Sequence, residues 1–345
     1  MISASIKIIA KFSAGCLLSA LASGPVMAAE KYFKMDTLAP GSSPYVFSVA
    51  LVDLVQTQYP YEIQLSSGKA ASRSTLDAAK GNVDFYLSAP AIDLSMEQGT
   101  DMFAKLADAP ELYKKVRSVV SYPLGAYQFV VYEDSGIKSL ADLKGKKVFI
   151  GPRGGQAFSS ATSLLEAVTG YKPNEDYEVA FYDWSTAIQS FQDRQIDAYI
   201  GPNTVPYSQL SQIALSDRIR LLGIPQALLD KPDVKSLFSM PGKSLETIPP
   251  AVYGENQTNE ADVYTLGAYV GLGTHVGVDE ETVYNVTKTL FDNLPELHQT
   301  APWMKAINRD NAFRQMVTPL HLGAYRFYKE GGFEIPEALV PPQAR

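Results

Sequence analysis

Cysteine occurs once, at Cys16, and histidine three times, at His275, His298 and His321. Cys16 lies in a leader segment, so the remaining chain has no disulfide, no thiolate nucleophile and no thiolate metal ligand. The three histidines are far apart and none has a ligand-type companion at helical spacing, so no metal site is expected. Basic runs are missing too. Thirty Lys and Arg stand against 37 Asp and Glu, a formal charge of −7, and loss of Lys7 and Lys11 with the leader takes this to −9. A chain this acidic is a poor partner for nucleic acid. No apolar run beyond the leader reaches the ~20 residues of a spanning helix, and there is no internal repeat or low-complexity tract.

What is present begins with the leader. Lys7 and Lys11 precede and interrupt an apolar stretch ending in Leu17-Leu18-Ser19-Ala20-Leu21-Ala22, followed by Ser23-Gly24-Pro25 and Val26-Met27-Ala28-Ala29. This is the order of a secretory signal peptide. Val26 and Ala28 suit the −3 and −1 pockets of a signal peptidase, so residues 1–28 are expected to be removed and the mature chain to be periplasmic. Its length suits two domains, since single cores stop growing at ~250–300 residues.

From Tyr32 onward short apolar runs alternate with amphipathic stretches. Phe33–Leu38, Tyr61–Leu65 and Val83–Leu87 read as strands around helices at Tyr45–Gln58 and Ser74–Lys80, the order of a mainly parallel sheet. A helical region follows near Leu94–Leu106. Val116–Tyr122 and Tyr127–Tyr132 read as two β-runs broken at Pro123-Leu124-Gly125, passing between lobes. A second series has strands at Val148–Ile150, Val179–Tyr182, Ile196–Ile200 and Ile219–Leu222, with helices at Ser139–Leu143, Ala157–Val168, Ser185–Asp193 and Pro206–Leu215. Residues 225–254 are rich in proline and turn residues. Val263–Leu272 reads extended and crosses back, before helices at Glu280–Asn293 and His321–Lys329. The expected fold is two-lobed α/β, with 29–124 and 270–345 in lobe I and 125–269 in lobe II.

Small ligands bind open α/β sheets beyond the carboxyl ends of strands. Four loops occupy such positions: Ala39–Ser43, Ser66–Arg73, Gly151–Gln156 and Gly201–Thr204. Each is small, polar and glycine-bearing, so its amides can approach an anion beside a helix amino terminus. Lys69, Arg73 and Arg153 add cationic groups, and an arginine fork matches a carboxylate; Arg153 is the first choice. The candidate ligand-binding set is Ser42 and Tyr45 in the first loop, Ser67, Lys69 and Arg73 in the second, and Ser88 closing the third strand. Lobe II contributes Arg153, Gly154, Gln156, Asn203, Tyr207 and Tyr253, the tyrosines offering apolar wall and hydroxyl together.

No catalytic residue or cofactor is expected. Gly151-Pro152-Arg153-Gly154-Gly155-Gln156 lacks the Lys-Ser or Lys-Thr of a nucleotide loop, and Asp84, Asp183 and Asp197 have no nucleophile partner.

Several segments together resemble the TAXI type of receptor, the extracytoplasmic subunit of one class of TRAP transporter. They are Gly136-Ile137-Lys138-Ser139-Leu140-Ala141-Asp142-Leu143-Lys144-Gly145-Lys146-Lys147-Val148, Ile196-Asp197-Ala198-Tyr199 and Val283-Tyr284-Asn285-Val286-Thr287-Lys288. More discriminating are Ile248-Pro249 with Tyr253-Gly254, and the run from Pro319-Leu320-His321-Leu322-Gly323 to Lys329-Glu330-Gly331. In that last run His321 and Glu330 read as parts of a structural helix. The resemblance implies a type II periplasmic-binding-protein fold that closes on a small carboxylate, dicarboxylate or glutamate-like anion and delivers it to fused TRAP membrane subunits. The receptor is expected to act as a monomer, with no cofactor, no nucleic acid and no turnover. The third loop departs from the family's Gly-Ser-Gly-Thr-like run by showing Gly154-Gly155-Gln156-Ala157, which replaces hydroxyls and adds Arg153 and Gln156. Alternatives are the receptor of an ABC importer or a sensor-linked binding protein.

Overall fold

The structure is a computed structural model that describes residues 31–153 and 155–345. The expected signal segment and Gly154 lie outside the described residues. The first series runs β1 (Lys31–Thr37), α1 (Ser43–Gln58), β2 (Tyr61–Ser67), α2 (Ala71–Ala79), β3 (Phe85–Ser88), α3 (Pro90–Gln98) and α4 (Ala109–Tyr113). Then β4 (Val116–Tyr132) leads to β5 (Lys147–Phe149), α5 (Gln156–Thr169), β6 (Glu178–Val179), α6 (Trp184–Gln192), β7 (Ala198–Asn203), α7 (Ser208–Ser216) and β8 (Ile219–Leu222). The chain closes with α8 (Pro232–Phe238), β9 (Lys243–Ile248), β10 (Val263–His275), α9 (Glu280–Asp292), α10 (Leu294–Thr300) and α11 (Leu322–Glu330).

The strands follow the order β2-β1-β3-β10-β4-β7-β5-β6, with β8 on β4 and β9 on β10. β1 is parallel to β2 and β3, and β5 is parallel to β6 and β7. Two long strands join the halves by exchanging partners. β4 pairs with β10 over residues 116–126, then takes β7 and β8 over residues 126–132. β10 pairs with β9 over residues 263–268 and with β3 over residues 271–274. The result is a two-lobed α/β fold in which each lobe is a sheet flanked by helices and crossover strands connect the two. Four apolar clusters follow the same division. One of them packs α1, α9 and α11 on the first sheet around Phe47, Val283 and Tyr328, and another packs α5 and α8 on the second around Leu143, Leu165 and Val234.

The break expected at Pro123-Leu124-Gly125 is a bulge inside one continuous strand. Ala268 pairs with Gly125 and Tyr269 with Pro123, which leaves Leu124 outside the ladder. Its carbonyl accepts a hydrogen bond from Ser43 Oγ at 2.9 Å. Gly125 is required here. Its φ is +143°, and a β-carbon would sit 2.1 Å from the Asn203 carbonyl oxygen. The turn-rich stretch 225–254 contains α8 and β9, whose propensity signal is masked by flanking Pro225, Pro232 and Pro241. The expected helix at 94–106 starts earlier, with Pro90 in the first turn, and stops at Gly99 in the left-handed region. Ser139–Leu143 is a 3₁₀ turn over Leu140–Leu143, closed by a capping box between Ser139 and Asp142.

Candidate functional site

The strand ends of both lobes flank the crossover. In lobe II the segment after β7 is held from behind by Gln128, a fully buried residue of β4. Its amide donates to the carbonyls of Asn203 and Thr204 at 3.1 and 2.9 Å. The Tyr253 hydroxyl donates to Gln128 Oε1 and accepts from the Tyr207 backbone N–H at 2.9 Å. Asn203, Tyr207 and Tyr253 thus form one assembly, with Tyr253 buried as its brace and Tyr207 opening α7. Burial holds the Tyr253 phenol above the ordinary tyrosine range. Trp184 lies over Gly201, where a β-carbon would come within 2.7 Å of the indole.

The neighbouring loop turns at Gly151 into α5, whose amino terminus at Gly155 has no side-chain cap. Gln156 stands in the first turn and donates from Nε2 to Ser160 Oγ at 3.4 Å. Arg153 is exposed and its guanidinium stacks 4.0 Å from the Phe181 ring centroid. It enters no ion pair among the described residues. Phe181 stacks in turn on Phe158, and Phe181 and Trp184 remain substantially exposed for residues so large.

In lobe I the two candidate cations are already answered. Lys69 Nζ donates to Asp36 at 2.5 Å and to Asp77 at 3.2 Å, and Arg73 reaches Asp77 at 3.3 Å. The hydrogen bond to Asp36 raises the Lys69 ammonium above its ordinary range. Ser42 is the N-cap of α1, accepting from the Tyr45 N–H at 3.4 Å and donating to the Ala39 carbonyl at 2.7 Å. Tyr45 is half-buried one turn in, and Ser67 ends β2 in an exposed position. Ser88 is buried and donates to Asp93 at 2.6 Å. Thr318 also donates to Asp93, at 2.9 Å, yet burial still pushes that carboxyl up to about 6. No hydrogen bond or ion pair among the described residues joins the candidate residues of lobe I to those of lobe II.

Sequence reasoning missed four groups: the buried brace Gln128, the acids Asp36 and Asp93, and Lys243. Lys243 opens β9 with only 3 % of its surface exposed. Its Nζ donates to the Tyr127 hydroxyl at 3.3 Å and lies 4.8 Å from that ring's centroid. A charged residue inside a proline-rich stretch reads as solvated loop, and no local pattern marks it as buried.

A concavity of about 520 Å³ lies elsewhere in lobe II, beside β8 and the start of β10. Its guanidinium, from Arg220, is held by Glu133 at 2.8 and 3.0 Å, and its other charged lining residues are Lys138, Glu260 and Asp262. With Arg220 already paired, its carboxylates outnumber the remaining cation, so the strand-end region suits an anion better. Among the described residues there is no cluster of metal-ligating side chains, and no helix is long and apolar enough to cross a membrane.

The NMT1-like family matches residues 35–332. A Haemophilus influenzae protein named for thiamine biosynthesis is 31% identical over 139 residues, 40% of this chain and 41% of its own length. The chain therefore matches about two fifths of that curated relative. Among solved structures, a periplasmic transporter superposes with a TM-score of 0.51 at 16% identity, over 87% of this chain and 92% of that one. The periplasmic aliphatic sulphonate binding protein SsuA from Escherichia coli gives 0.46 at 17% identity, over 87% and 83%. The ectoine binding protein TeaA of the TeaABC TRAP transporter gives 0.44 at 13% identity, over 87% and 90%.

Proposed function

Because the chain belongs to the NMT1-like family, we propose that it is an exported solute-binding receptor of the TAXI type, which captures one small organic anion between its lobes. The observation that carries this reading is the contrast in charge at the strand ends. Lys69 and Arg73 are answered by Asp36 and Asp77, whereas the Arg153 guanidinium has no carboxylate partner among the described residues and lies beside the uncapped start of α5. An exposed guanidinium with no internal partner, set beside an uncapped helix start at the strand ends, is available to an external anion. The ligand class is a carboxylate, dicarboxylate or glutamate-like acid. Exposed Phe181 and Trp184 supply apolar wall for its carbon skeleton.

We place lobe I at 29–124 and 270–345 and lobe II at 125–269, supported by the partner exchange of β4 and β10. The mature receptor acts as a periplasmic monomer that binds without turnover and, on closing, presents a joint surface to fused TRAP membrane subunits. Calorimetric titration of the mature protein with 2-oxoglutarate, glutarate and L-glutamate tests the ligand class. Arg153→Ala should weaken binding of the accepted acid by about 2–5 kcal/mol, the range for removing one member of a close charge pair. Unaltered affinity removes Arg153 from the site, and no heat from any of the three acids removes the class.

A further inference from the structure

Lys243 stands where the lobes meet. It follows Gly242, at which an added β-carbon would lie 3.3 Å from three ring carbons of Pro90 in lobe I. The Gly242 carbonyl accepts from the Tyr269 N–H at 2.8 Å, and Lys243 itself pairs with Ala268, one residue from the bulge in the crossover. The ammonium is therefore held by two strands at the seam. Its polar surroundings are hydroxyls and an amide. The Tyr127 hydroxyl lies 3.3 Å away and also faces Ser160, which receives the Gln156 amide at 3.4 Å. This polar chain runs from the first turn of α5 to Lys243 and contains no carboxylate.

An ammonium with one hydroxyl neighbour and no counter-charge is an expensive object to bury. Burial alone pushes it down to about 8. A purely structural position would accept methionine or leucine of similar volume without that cost. An anion arriving from solution would supply what the surroundings lack.

We propose that Lys243, with the Tyr127 hydroxyl, is the interior anchor that receives one anionic group of the solute at the seam between the lobes. The proposal rests on the receptor reading above and adds to it a second cation, from a different element, so that the preferred solute carries two separated acidic groups, one for Arg153 and one for Lys243. A diacid is thereby favoured over a monoacid.

Two measurements on the mature protein and its Lys243→Met variant test this. Without ligand, the variant should melt above wild type by about 2 °C or more, as relief of an uncompensated buried charge implies. In calorimetry the variant should bind the accepted member of the 2-oxoglutarate, glutarate and L-glutamate panel on the order of 100-fold more weakly, within the range for a lost buried charge pair. Lys243→Gln, which keeps a donor without the charge, should show the same loss. Affinity within about twofold of wild type in either variant overturns the anchor while leaving the receptor intact. Should wild type bind none of the three acids, the carboxylate class fails, and the melting comparison still decides Lys243: a rise supports an unanswered cation, and an equal or lower temperature overturns it.

Discussion

At the scale of single residues, charge placement is governed by which partners the fold brings near. Lys69 and Arg73 look equivalent to Arg153 along the chain, yet Asp36 and Asp77 come from β1 and α2 to neutralise them. His321 shows the same principle for a neutral group. It is the N-cap of α11, with Nδ1 accepting from the Gly323 N–H at 3.2 Å while the ring's other nitrogen faces the Val278 carbonyl. Burial lowers the imidazole to about 4. Because the unfolded chain takes up this proton first, the contribution is present above about pH 6.5 and is lost as pH falls toward 4. Up to about 3 kcal/mol should disappear across that window by linkage. His321→Asn, which can still cap, should flatten this part of the profile in urea unfolding measured at each pH; an unchanged slope would contradict the assignment. The helix-start role of His321 was legible from its place in the late motif. The partners of Lys69 were not, because they approach from 33 residues upstream and from the next turn of a helix.

At the scale of elements, the alternating strands and helices were readable because both periodicities are strong, and β1, α1, β8 and α9 lie within a few residues of expectation. The crossover was readable only in part. Pro123 removes a backbone donor and Gly125 suggests a turn, so the stretch reads as an interruption. In the folded chain the ladder absorbs one extra residue, and Ser43 satisfies the carbonyl that leaves it. β9 escaped notice because its stability comes from pairing with β10 rather than from its own pattern, and Lys243 escaped with it. Gly125 is the position on which this geometry turns. Gly125→Ala should destabilise the protein by about 2–4 kcal/mol, through an unfavourable φ and a collision with the Asn203 carbonyl. Guanidinium unfolding provides the measurement, and a change under about 0.5 kcal/mol, the level of an ordinary surface substitution, would show that the strand can be re-routed there.

At the scale of the whole molecule, the two lobes share two long strands, and these exchange partners in their middle stretches, β4 from Ala126 onward and β10 between Ala268 and Gly271. Such a joint lets lobes rotate while each keeps its own core, which suits capture by closure. Of the cations near the strand ends, Arg153 and Lys243, from lobe II and from the seam, have no acid partner among the described residues, and lobe I contributes capped hydroxyls and the neutralised Lys69. Fold class was legible because length, alternation and the late motif agree; the anchoring chemistry was not, since it depends on which charges end up without partners. Native mass spectrometry of the mature chain, purified without an unfolding step and then unfolded stepwise, shows whether each chain holds one small acid. The expected outcome is release of one small acid per chain, or uptake of one molecule of 2-oxoglutarate, glutarate or L-glutamate added in excess. A chain whose mass changes in neither experiment would contradict it.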